Sequence, residues 1–178
     1  MSVSVNCKRA SGGFTLIELV LVVAMVVFLM GVFLNRFQNY QEQAEKVAME
    51  GLASGLQSAL TLQYGQLLTR GQLSDEAALL QDNPINWLQK RPRNYAGEFF
   101  DPRVSSVEPG NWLFDLHTRQ LIYIPLKVTH FKAGSDGQAW IRFHVVTQHE
   151  ASRLPSLQKQ KPELTGALFE PVEPYSWF

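Results

Sequence analysis

Residues 14–34 read FTLIELVLVVAMVVFLMGVFL, 18 apolar residues out of 21, interrupted only by Thr15, Glu18 and Gly31. At about 1.5 Å per helical residue this stretch covers about 30 Å, the thickness of a bilayer's hydrocarbon core. Its valine content suits a strand, but the run is far too long for one. A helix that crosses a lipid bilayer is therefore expected. Lys8 and Arg9 precede the stretch, and the positive-inside rule then keeps the amino end in the cytoplasm and sends the remainder across.

Two simpler explanations compete with a retained span. A secretory signal peptide also places basic residues before an apolar run, but its core is usually 7–15 residues and ends in a small-x-small cleavage site. Here Asn35-Arg36-Phe37-Gln38 follows without such a site. A plain anchor is the other explanation, and it leaves Glu18 without a reason. An ionised carboxylate costs about 2.5–3.5 kcal/mol at a membrane helix centre and less near an end, so it either reaches the interface or finds a cation.

Lys8-Arg9 followed by Gly12-Gly13-Phe14-Thr15-Leu16-Ile17-Glu18 closely resembles the processing site of type IV prepilins and type II secretion pseudopilins. The resemblance implies that a prepilin peptidase and methyltransferase cuts the basic leader after Gly13 and N-methylates Phe14. It also implies that Glu18, the fifth residue of the mature chain, sets the register as a subunit enters a filament. The cut would fall before the apolar segment and leave it as the anchor. The chemistry of each position agrees. Glycine before a scissile bond lets an extended backbone approach a protease closely. Cleavage creates a free α-amine, and a carboxylate in an apolar setting gains most from a nearby cation. Either its own chain's amine or a neighbour's is within reach, and the family precedent implies the neighbour's.

Beyond Leu34, Phe37, Tyr40, Ala44, Val47 and Gly51 follow the spacing of one helical face, and Leu52, Leu56, Leu60 and Leu67 form an adjoining stripe. Gln38, Glu42, Glu45, Lys46 and Glu50 fall between them, with Glu42 and Lys46 in the favourable i, i+4 order. No proline occurs before Pro84, so nothing forces a break from Phe14 to about Leu68, roughly 55 residues and about 80 Å. The small residues Gly51, Ala53, Ser54 and Gly55 interrupt any coiled-coil repeat and suit close packing by a sheet or another helix. Gly31 is a candidate point for unwinding on assembly. The proline that many major pilins carry near this region is absent, and Asn35 stands near its place.

All nine prolines and all four tryptophans lie after Gly71. Ser74-Asp75-Glu76 has the form of an N-cap with acids opening a short helix through Leu80, and Asn83-Pro84 ends it or starts another turn. The segment from Asn86 to Gly97 reads as a loop with aromatic anchors. Residues 112–116 and 120–126 read as a hairpin across His117-Thr118-Arg119. A third run, Val128 to Phe131, is expected to pair across Asp136-Gly137 with residues 139–146, where Ile141, Phe143 and Val145 alternate as an apolar face. The tail from Ala151, with four prolines, reads as a wrapped or mobile surface segment, and Trp177-Phe178 as a pair that docks on the domain or contacts another subunit.

The expectation is thus an α+β, pilin-like fold with a small antiparallel sheet packed on the amphipathic half of the helix. Residues 1–13 form the leader, 14–34 the transmembrane or filament-core helix, 35–68 its amphipathic continuation, and 69–178 an extracytoplasmic head. The hairpin Trp112-Leu113-Phe114-Asp115 and the segment Asn94-Tyr95-Ala96-Gly97 are also similar to minor pilins of the mannose-sensitive haemagglutinin type, a resemblance that implies a pilus with a part in cell adhesion. The family resemblance as a whole implies a bacterial inner-membrane location, then a pilus or a protein-secretion pseudopilus. It names as partners other pilin or pseudopilin subunits and an inner-membrane assembly platform.

No catalytic constellation accompanies this. His117, His130, His144 and His149 lack metal-ligand spacing. Asp101, Asp115 and Asp136 form no Asp-x-Asp or Asp-x-Asn run for calcium, and Asp136 reads as a turn former. No Gly-x-Ser-x-Gly elbow or glycine-rich phosphate loop occurs, so no enzyme activity, metal or cofactor is expected. With 16 basic against 16 acidic residues the chain also lacks the basic excess of a nucleic-acid binder. Lys90-Arg91-Pro92-Arg93 is a small local patch. A membrane-anchored periplasmic binding module or enzyme stands as the reading of a different class.

Overall fold

The computed structural model describes residues 15–72, 75–103, 106–150 and 163–178. One helix, α1, runs Leu16–Thr69 without a break, through both Gly31 and Asn35, as a segment without proline allows. Contacts divide the chain into two units that meet in sequence between Gln41 and Glu42. In the first, every residue of the apolar stretch from Leu16 to Leu34 is exposed. An 18-residue window of α1 is long and apolar enough to cross a membrane.

The second unit builds its core between α1 and a five-stranded sheet. Its elements are a short helix α2 (Ala77–Gln81), a 3-10 turn at Pro84–Trp87, and strands β1 (Tyr95–Phe99), β2 (Trp112–Asp115), β3 (Gln120–Tyr123), β4 (Phe131–Lys132), β5 (Ile141–Glu150), β6 (Glu163–Pro171) and β7 (Ser176–Trp177). The sheet order is β1-β2-β3-β5-β6, and β4 pairs separately with β7. The hairpin of β2 and β3 forms in the expected register, Trp112 opposite Tyr123 and Asp115 opposite Gln120.

The architecture is α+β, but four sequence expectations change. The sheet is mixed rather than antiparallel, because β1 lies parallel to β2. The twelve residues between them, 100–111, supply the long connection that a parallel pair requires. Tyr95, Ala96 and Gly97 are therefore strand, not loop. The turn at Asp136-Gly137 forms, with Gly137 N–H bonded to Gly134 O at 3.0 Å and Gly137 at φ +69°, yet it closes no hairpin. Its flanks diverge because β5 is claimed on both sides, by β3 and by the nine-residue β6, while Phe131 and Lys132 pair with Trp177 and Ser176. The prolines of the tail fall at 155, 162, 171 and 174, which leaves 163–170 free to extend as β6 rather than wrap as coil. Residues 151–162 of that tail lie outside the described residues, as does the expected N-cap Ser74.

The sequence leaves open which stripe of α1 the sheet covers. Met49, Leu56 and Leu60 are buried against Trp112, Phe114, Leu121, Tyr123, Ile141, Phe143, Phe169 and Trp177. Leu52 and Leu67 pack at the margin, so the second apolar stripe faces the sheet. The first stripe does not: Phe37, Tyr40, Ala44, Val47 and Gly51 are all exposed. At 100° per residue the two stripes lie on opposite sides of the helix. Periodicity finds both and cannot say which the sheet covers. On the far face of the sheet, Leu113, Ile122 and Ile124 form a smaller core with Phe99, Val107 and Trp140.

Polar side chains fasten α1 to β6 and the 3-10 turn to β1. The Gln57 side-chain amide sits on the free edge of β6, donating to Ala167 O at 3.2 Å and accepting from Phe169 N at 2.6 Å, much as another strand would. Tyr64 adds a bond from its hydroxyl to Leu164 O at 3.1 Å. Asn83 caps the 3-10 turn by accepting from Ile85 N, and its amide donates to Tyr95 Oη and Glu98 Oε1.

Candidate functional site

Of the residues that the sequence singles out, Lys8, Arg9, Gly13 and Phe14 lie outside the described residues. Glu18 is described and is exposed in the first turn of α1. Thr15 precedes the helix. Its carbonyl accepts from Leu19 N at 3.2 Å and its hydroxyl from Glu18 N at 3.3 Å. Thr15-Leu16-Ile17-Glu18 thus has the order of a capping box, with the threonine half of the bonding in place. The carboxylate belongs where a helix start favours negative charge, so helix capping alone gives Glu18 one structural reason to be acidic. The apolar surroundings supply the other: a group that desolvation would penalise unless a cation joins it.

Most of the exposed large apolar side chains among the described residues lie on α1. Phe33 and Phe37 stack with ring centroids 6.0 Å apart. Tyr40 and Val47 are each about two-thirds exposed, at 65% and 67%. Between and beyond them Ala44 and Gly51 carry little or no side chain, and a Cβ at Gly51 would meet nothing within 4 Å. Bulky residues alternating with small ones along one helical face make ridges and hollows of the kind that other helices fill. Further along, Leu62 is also exposed.

At the other side of α1 a carboxylate is buried with its partners. Glu42 is 1% exposed. Its Oε1 accepts from Trp177 Nε1 and from His130 N, both at 3.0 Å, and its Oε2 lies 2.9 Å from His130 Nδ1. Burial alone would raise this carboxyl's pKa. The bonds from His130 and Trp177 together outweigh it and hold the group below its ordinary value. Lys46 donates to Trp177 O at 2.8 Å, and Phe178 stacks on the His130 ring with centroids 4.7 Å apart. Trp177 is thereby fixed in the core, as a docked pair requires. One turn along, Glu45 accepts from Tyr123 Oη at 2.8 Å and from Leu126 N at 2.5 Å. Burial and the Glu45 contact push the Tyr123 phenol well above its ordinary pKa.

The sequence sets Glu42 and Glu45 between the apolar stripes and pairs Glu42 with Lys46 on the helix surface; the structure instead buries Glu42 and turns Lys46 to Trp177 O and to Glu50, 3.9 Å away. The spacing of Glu42 and Glu45 from Met49 and Leu56 was a signal that they lie on the buried face.

The remaining acids act as turn formers. Asp115 accepts from Asp101 N, His117 N and Thr118 Oγ1 at the β2–β3 turn, and those bonds hold it below its ordinary pKa against the opposing effect of burial. Asp136 accepts from Gln138 N and Trp140 Nε1 and pairs with Arg142. Among the described residues no group of three or more His, Cys, Asp or Glu side chains is placed to hold a metal. An open groove of about 990 Å³ runs past Pro102, Arg103, Val107, Pro109 and Trp140. Its one carboxylate from the turn, Asp136, is already engaged. No family model, no curated protein and no solved structure matches the chain.

Proposed function

We propose that the chain is a prepilin-type structural subunit, cleaved after Gly13, N-methylated at Phe14, held in the bacterial inner membrane by α1 with its head on the periplasmic side, and assembled through α1 into a type IV pilus as a minor pilin. The observation that carries this reading is the surface of α1. The apolar stretch is wholly exposed, Phe37 and Tyr40 are exposed beyond it, and within the second unit Ala44, Val47 and Gly51 stay exposed while Met49, Leu56 and Leu60 pack against the sheet. An isolated anchor needs the first feature only. A helix that must also meet other helices needs both. The prepilin peptidase and methyltransferase, the inner-membrane assembly platform and other subunits are the partners on this reading. A type II secretion pseudopilin shares every one of these features and is the alternative within the same class.

Mass spectrometry of the mature amino terminus tests the proposal. A chain beginning at N-methylated Phe14 is expected. An intact leader would instead leave a membrane-anchored binding module or enzyme as the better reading. Glu18→Ala should leave cleavage intact and reduce recovery in sheared filaments. Thr15→Val, which removes the cap and keeps the carboxylate, should be recovered like the wild type. Equal loss in both variants would assign Glu18 to helix capping and overturn the register role.

A further inference from the structure

Asp101 precedes Pro102, and the chain contains no other Asp-Pro pair. Its φ is +50°, a left-handed value that is costly for any residue with a Cβ. The proline adds a second restriction, because its Cδ pushes the residue before it toward extended backbone at negative φ. Such a conformation lasts only where the surroundings impose it, and here they do so on both sides. Asp101 N donates to Asp115 Oδ1 at 3.1 Å, Leu116 N donates to Phe99 O at 2.8 Å, and the rings of Phe100 and His117 meet edge to face with centroids 5.4 Å apart. Beyond the bond Pro102 is buried, Arg103 N donates to Ser106 Oγ at 3.1 Å, and Ser106 N donates to Arg103 O at 2.8 Å. Asp101 itself is exposed, and among the described residues its carboxylate accepts no hydrogen bond and pairs with no cation.

We infer that Asp101 cuts its own bond to Pro102 in mild acid, which makes the connection between β1 and β2 a built-in processing site. A carboxylate oxygen of Asp101 attacks the carbonyl carbon of the same residue, the bond from that carbon to Pro102 N breaks, and hydronium supplies the proton that the departing nitrogen takes. Water then opens the cyclic anhydride left on Asp101 to two carboxyl groups. One water is consumed overall, and nothing is oxidised or reduced. Proline suits the leaving position because its amide nitrogen is tertiary and takes a proton more readily than that of an ordinary peptide bond. Breaking the bond releases the imposed φ, so strain held by the folded chain comes off the barrier. The titratable and charged groups around the bond are Asp115 on β2, His117 in the β2–β3 turn and Arg103 on the same connection. Asp115 is held below its ordinary pKa, which keeps the clamp on Asp101 N ionised in the mildly acidic range where the nitrogen gains its proton. After the cut both fragments still share one core: Met49, Leu56 and Leu60 of α1 pack against Trp112, Leu121, Phe143 and Phe169, and β1 pairs with β2. The head stays folded and gains a new amino end at Pro102.

The test incubates the full chain in detergent and mildly acidic buffer and follows intact mass, with amino-terminal sequencing of the fragments. Two fragments are expected, the second beginning at Pro102. They should accumulate about tenfold faster from the folded chain than from the same chain in urea at the same pH. Asp101→Glu, which has to close a larger and less favoured ring, should slow the cut about tenfold or more, both folded and in urea, where failure to fold plays no part. Pro102→Ala should slow it likewise. Cleavage in urea as fast as in the folded chain, or no cleavage of the folded chain, overturns the inference. So does an Asp101→Glu chain cut at the wild-type rate, which would assign the cut to a protease or to plain acid hydrolysis.

Discussion

Replacing Glu42 gives the sharpest measure of how the head holds together. In Glu42→Leu, Trp177 Nε1 and His130 N lose their acceptor while the surrounding packing remains. A buried donor left without a partner costs about 1–3 kcal/mol, and with His130 only partly buried the pair comes to about 2–4 kcal/mol. For a chain of this size each kcal/mol moves Tm by about 2–4 °C, so Tm should fall by about 5–15 °C. Glu42→Gln is the informative companion. Its amide oxygen accepts the same two bonds, while its amide nitrogen replaces the oxygen that lies 2.9 Å from His130 Nδ1, so that contact and the charge assistance go together, about 1–2 kcal/mol. The two variants also differ from the wild type in pH dependence. The folded-state pKa of Glu42 lies below its ordinary value of 4.5. Its contribution is therefore fully present above pH 4.5 and lost as pH falls through the lower folded-state value. The stability gap between wild type and Glu42→Gln should be constant above pH 4.5 and close below it. Thermal and urea unfolding of the full chain in detergent, followed by tryptophan fluorescence, reads both quantities. Buried charges are sometimes replaced by apolar groups with gain of stability. A Glu42→Leu chain as stable as the wild type would refute the clasp as a stabilising device.

Further outcomes are expected elsewhere. Gln57→Leu removes the two bonds to the edge of β6 and should cost about 1–3 kcal/mol in urea unfolding, with amide exchange at Phe169 rising more than at Phe114. Val47→Arg, on the exposed stripe, should change stability by less than about 0.5 kcal/mol; if the proposed filament role holds, it should also sharply reduce recovery in sheared filaments. Asp115→Ala should destabilise by about 1–3 kcal/mol. That difference should hold above pH 3.8, the ordinary value of the group, and shrink as pH falls through the depressed folded-state value.

Much of the layout was legible from local chemistry. An unbroken helix followed from the absence of proline before Pro84, and the β2–β3 hairpin from two β-rich runs about a short turn. The inward face of β5 followed from its alternation. What could not be read is non-local. Whether Met49 or Val47 faces the sheet depends on whether Glu42 and Glu45 find donors, and those donors, Trp177, His130 and Tyr123, lie more than seventy residues away. Likewise Asp136-Gly137 announces a turn correctly, but the partner of each flank is chosen by competition among strands, in which the longer β6 displaces Phe131. For the candidate site, Glu18 stood out by its surroundings alone. The exposed stripe was visible as apolar periodicity, which left open the side the sheet covers.

The Gln57 amide on the rim of β6 has a consequence for crowding. An open strand edge is a template for any other chain that passes, and a nine-residue edge is long enough to seed fused sheets. Here that rim is occupied by a side chain of the molecule itself, and the opposite rim, β1, is five residues long with a register shift after Tyr95 and the exposed acid Glu98. A strand added at the β6 rim would have to displace Gln57 from Ala167 and Phe169 and Tyr64 from Leu164. The same bonds that hold α1 to the sheet thus also blunt its long edge.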